Sequence, residues 1–137
     1  MRRMLAAVAT VLVVASPVAQ PEASAAPGDR AGTSIIGTWK GKVYNQDGPA
    51  GYTGTIRLTR SQGTYHATAR YSRGLPGTKW TYQGRDGAWF RFREAQRDEP
   101  KPGPVAVKVK RSGARLLVRW VVLQSHYTGH MTARRLR

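Results

Sequence analysis

Residues 35–44 read Ile35-Ile36-Gly37-Thr38-Trp39-Lys40-Gly41-Lys42-Val43-Tyr44, and they alternate. Ile35, Gly37, Trp39, Gly41 and Val43 fall on one face, Thr38, Lys40 and Lys42 on the other. A period of two over such a length marks a strand with one wet and one dry face. The same period returns along the chain. Further candidate strands cover 52–59, 64–71, 78–83, 88–93, 105–110, 115–123 and 127–136. Asp47-Gly48-Pro49, Ser61-Gln62-Gly63, Gly74-Leu75-Pro76-Gly77, Asp86-Gly87 and Ser112-Gly113 break the pattern with residues that supply the positive φ of tight hairpins. No segment sustains a helical period.

Short connections make sequential strands antiparallel. The expectation is therefore an all-β fold, an antiparallel eight-stranded up-and-down meander that closes into a barrel and so removes its edges. The one long break, 94–104, is charged and rich in proline, and reads as a surface loop.

Upstream, Arg2 and Arg3 precede an apolar run over 5–15, and Ala23-Ser24-Ala25 offers a small-residue cleavage site. This predicts a signal peptide over 1–25, followed by a loose Ala/Gly/Pro-rich arm over 26–34 and the barrel domain over 35–137. The apolar run is shorter than the roughly 20 residues of a membrane-spanning helix, so no transmembrane segment is expected. The expected address is extracellular, reached by the general secretory route, and the Arg-rich composition suits a GC-rich bacterial genome. With no cysteine, the domain is expected to rest on its core alone.

Alternation sorts the side chains. Tyr52, Tyr65, Tyr71, Trp80, Tyr82, Phe90, Phe92, Trp120 and Tyr127 join Trp39 on the inward set. Tyr44 and Trp89 fall outward among the strand cations. The chain has 23 Lys and Arg against 7 Asp and Glu, a formal net charge of +16, nearly all of it outside the leader. Such an excess attracts anionic partners.

Gly37-Thr38-Trp39 on the first strand, seven further short strands and a basic C-terminus resemble the calycin superfamily, which includes lipocalins, fatty-acid-binding proteins and avidins. The resemblance implies a barrel closed at one end by the first-strand Trp39, with a cation from the last strand packed over it. Arg135 is the residue that alternation offers for that cation–π pair. It also implies a small ligand held inside. Lys40, Gly41 and Lys42 depart from the polar biotin-contacting position of avidins, and the chain has no room for the lipocalin helix.

A search for catalytic chemistry returns little. The acids beyond the leader, Asp29, Asp47, Asp86, Glu94, Asp98 and Glu99, all read as turn or loop residues in water, with no pair spaced for acid–base work. Ser125-His126 is not expected to act as a dyad, because neighbours on extended chain point apart. His126 and His130 would stand about 13 Å apart on a strand, too far to share one ion. No metal, cofactor or enzymatic activity is expected.

Two function classes remain. In the first, a secreted, non-enzymatic binding protein holds a small apolar or aromatic ligand inside the barrel, against Trp39, Trp80, Tyr82, Phe90, Trp120 and Tyr127. In the second, the exterior binds anionic cell-envelope polymers or an acidic protein through Lys40, Lys42, Arg57, Arg70, Arg91, Arg93, Lys108, Lys110 and Arg119. A protease-inhibitor role, acting through 26–34 or 94–104, is a narrower form of the second. Specific nucleic-acid recognition is not expected, because only Trp89 and Tyr44 interleave with the cations.

Overall fold

The computed structural model describes residues 34–97 and 103–137. The expected leader, most of the arm and the centre of the long loop lie outside them, with Asp29, Asp98 and Glu99. Eight strands follow one another: β1 (Gly37–Asn45), β2 (Gly48–Ser61), β3 (Thr64–Tyr71), β4 (Thr78–Asp86), β5 (Trp89–Arg97), β6 (Gly103–Ser112), β7 (Arg115–Val122) and β8 (Thr128–Arg135). Each pairs antiparallel with the next, and β8 returns to β1 to close the barrel. Among the described residues, no helix is long and apolar enough to cross a membrane.

The two ends differ. At one end lie three two-residue hairpins, at 62–63, 87–88 and 113–114, together with the start of β1 and the end of β8. Gln62 and Gly63 both have positive φ, while Gly87 and Gly113 supply it at the first turn position of the other two, as the twist of such hairpins demands. The connections at the opposite end, apart from that at 46–47, are longer.

The inward set forms one continuous core. Trp39, Tyr65, Trp80, Phe90, Phe92, Trp120 and Tyr127 are buried in it, and Tyr52, Tyr71 and Tyr82 pack against it. The lining of β6–β8 is mostly aliphatic: Val105, Val107, Val109, Leu116, Val118, Val122, Met131 and Ala133. Where β1 and β2 pair Gly41 with Gly54, the Thr132 carbonyl and Met131 occupy the space a side chain at Gly41 would need, and Met131 crowds Gly54. Gly129 is required by packing too, since a Cβ at that position would overlap the indole of Trp120, its cross-strand partner.

Of the differences from the sequence expectation, three bear on the candidate sites. β2 begins at Gly48, carrying Pro49 and Gly51 on a strand that bulges opposite Lys42 and Tyr44. The segment at His126 is a turn with positive φ, so the pair His126 and His130 does not lie on one strand. Most consequentially, β5 continues to Arg97, which places Glu94 on a strand and not in the loop.

Candidate functional site

Glu94 corrects the expectation that every acid stands in water. It is fully buried, on the inward face that Phe90 and Phe92 already define. Its Oε2 accepts hydrogen bonds from Trp80 Nε1 at 2.7 Å, Thr78 Oγ1 at 2.7 Å and Tyr71 OH at 3.3 Å. A buried carboxylate is costly unless hydrogen-bonded, and a buried indole N–H needs an acceptor. The pairing answers both demands and ties β3, β4 and β5 together near the end opposite the short hairpins. Of the other acids, Asp47 lies in the β1–β2 turn and accepts from Tyr127 OH at 3.0 Å. Burial first, then this bond and the carboxylate's charge, hold the Tyr127 hydroxyl above its ordinary pKa.

The inward aromatics are distributed along the barrel and packed on one another. Phe90 meets Tyr65 edge-on at 4.9 Å, Tyr82 lies 5.2 Å from Tyr65 and 5.5 Å from Phe92, and Trp80 lies 6.0 Å from Phe92. Trp39 sits at the hairpin end, its Nε1 donating to the Ile35 carbonyl at 2.9 Å. Two guanidiniums flank its ring, Arg135 at 4.8 Å and Arg111 at 4.9 Å from the centroid. Arg111 also donates to the Ser34 carbonyl at 2.7 Å, and burial together with the nearby Arg135 charge lowers its pKa. Arg60 over Tyr65 and Arg85 over Phe90 complete a ring of arginines around that end.

The exterior is organised by register. Arg91 on β5 stands directly opposite Lys108 on β6, Lys108 opposite Arg119 on β7, Arg119 opposite His130 on β8, and His130 opposite Tyr44 on β1. Farther toward the hairpin end, Lys40, Arg134 and Arg115 form a second row across β1, β8 and β7. Between the two rows, Lys110, Leu117, Thr132 and Lys42 are aligned. Among the described residues, no carboxylate stands opposite any of these cations in the register.

Like charges directly opposite one another on a sheet are destabilising, so folding alone does not select such rows. The first row borders a groove of about 830 Å³ along the outer side of β5–β8. Arg91, Arg93, Lys108, Arg119 and His130 supply its charge, and Ala106, Leu117 and Val121 its apolar floor. A smaller recess of about 450 Å³ is lined by Lys40, Lys42, Tyr44, Arg115 and Arg134.

The structure therefore divides the basic residues named from the sequence. Lys40, Lys42, Arg91, Arg93, Lys108, Lys110 and Arg119 share the β5–β8–β1 face. Arg57 on β2 and Arg70 on β3 lie on the other side, opposite threonines. Sequence reasoning missed Arg115 and Arg134, though the tight turn at Gly113 and simple alternation place both outward. It missed Glu94 as well, although the period of Phe90 and Phe92 points to it. Among the described residues, no cluster of three or more His, Asp or Glu could hold a metal. No protein-family model, no curated protein and no solved structure matches this chain.

Proposed function

We propose that this is an exported, non-enzymatic binding domain of calycin-like form that works from its exterior, holding an anionic polymer across the outer side of β5–β8. The observation that carries this reading is the row Arg91–Lys108–Arg119, three cations set directly opposite one another with no carboxylate facing them among the described residues. An anionic chain lying across the strands neutralises the repulsion within the row. Guanidiniums at Arg91 and Arg119 offer forked donors to phosphate or carboxylate groups.

The interior reading has less support, because Trp80, Tyr82 and Phe90 pack against neighbouring rings in tilted and edge contacts. Trp39 is engaged by two arginines.

The test is retention on a polyanion resin along a salt gradient. The triple variant R91E/K108E/R119E is expected to elute at far lower salt than the parent. The matched variant R57E/R70E/K79E, which changes net charge equally on the other side, is expected to elute close to it. Equal losses in the two variants would mean that net charge alone governs binding, and would remove the site.

A further inference from the structure

Resting on the binding face just proposed, we infer that Trp89 positions cations and is not a platform for the partner, and that the partner is accordingly a polyanion without aromatic bases. Trp89 opens β5 on the outward set, and three cations from two neighbouring strands gather at its ring. Lys108 Nζ lies 4.7 Å from the centroid, Lys110 Nζ 5.0 Å and Arg119 Cζ 5.4 Å. A tryptophan ring attracts cations through its quadrupole, so the indole draws together charges that would otherwise swing apart.

The other outward aromatic, Tyr44, is occupied as well. It stacks on His130 at 5.2 Å with the rings 5° from parallel, at the far end of the same row. Proteins that read single-stranded nucleic acid offer open aromatic faces to successive bases. Here three cations already gather at the Trp89 ring, so a base stacking there competes for it with the cations that its own phosphate needs.

A base-free chain meets no such conflict. Its charges can follow the row, where neighbouring strands set cations about 5 Å apart at the backbone. Its aliphatic or polyol links can lie on Ala106, Leu117 and Val121 in the floor of the groove.

The experiment compares two chains with equal numbers of phosphates, poly(glycerol phosphate) and oligothymidylate, by titration at fixed salt against the wild-type protein, W89L, W89F and R91E/K108E/R119E. W89L is expected to weaken both chains by the same factor, about threefold, and W89F, which keeps a ring, to recover most of that loss. Thermal unfolding confirms that each variant is folded, and the parallel or unequal response of the two chains to W89F decides the matter should W89L not fold. A loss confined to oligothymidylate would show bases stacking on Trp89 and overturn the inference, as would no loss with either chain. Undiminished binding of both chains by R91E/K108E/R119E would instead remove the underlying binding face, whatever Trp89 does.

Discussion

The wall made by β2–β5 and the wall made by β6–β8 solve opposite problems. The first is polar inside and matched outside. Its lining carries Glu94 with Tyr71, Thr78 and Trp80, while outside Arg57 stands opposite Thr38 and Thr68, Arg70 opposite Thr55, and Lys79 opposite Thr68. The second is mostly aliphatic inside and unmatched outside, with cation facing cation from Lys108 to Arg119 within it and on to Arg91 of β5, the strand where the two walls meet. Burying its valines offsets the repulsion on its outer surface. Charge occurs on both walls, so charge does not identify a site. The arrangement of cations against one another does.

The largest expected effect breaks the first wall from within. Glu94→Ala leaves the buried donors of Thr78 and Trp80 without their acceptor and should destabilise the fold by roughly 2–5 kcal/mol. Glu94→Gln retains an acceptor oxygen and should lose less. Chemical denaturation of both variants checks this. An Ala variant within about 0.5 kcal/mol of the parent, the range of an ordinary surface substitution, would mean that the carboxylate does not tie the wall together.

A smaller effect of opposite sign is expected on the second wall. Lys108→Thr, which relieves repulsion from both Arg91 and Arg119 while giving up one contact with Trp89, should raise stability by about 0.5 kcal/mol at low salt. Lys79→Thr, on the other wall, should leave it unchanged. Raising the ionic strength to about 1 M should shrink the difference, because the screening length then falls to about 3 Å, below the spacing of the row. Unfolding midpoints at two salt concentrations test the contrast, and equal responses at the two positions would dissolve it.

The smallest effect separates the walls by pH. Burial raises the Tyr65 pKa above 10.0, so the native state favours the neutral phenol. That contribution is complete below the ordinary value and is lost as pH climbs through the folded one. Stability should therefore fall in alkali, and less steeply in Tyr65→Phe. Tyr127, beside β8, is raised as well and adds its own part of this loss, so the difference between Tyr65→Phe and the parent is the first wall's share.

Much of the barrel was legible because its signals are local. Period two sorted Trp39, Trp80, Phe90 and Phe92 inward and Trp89 outward, and glycine marked the hairpins. Two features resisted. A glutamate followed by a proline-rich stretch reads as solvent-exposed chain and so ends β5 at Arg93, whereas three donors from β3 and β4 hydrogen-bond to the carboxylate and make Glu94 tolerable inside. The cation rows depend on which residue of one strand faces which residue of the next. That property is set jointly by turn lengths and bulges at Lys42/Tyr44, Tyr82/Gly84 and Glu94/Arg97, and no single strand displays it.

The closure at Trp39 also bears on how the chain is threaded. Arg135 faces Trp39 across the β1–β8 seam, and the Leu136 N–H donates to the Thr38 carbonyl at 2.8 Å. Every other seam joins strands consecutive in the chain. The two ends of the barrel sequence are therefore neighbours in space, and a short linker between them would cross no strand. A circularly permuted chain opened instead in the exposed stretch at Ser72–Gly74 keeps all eight seams. It merely changes which of them must form between residues distant in sequence.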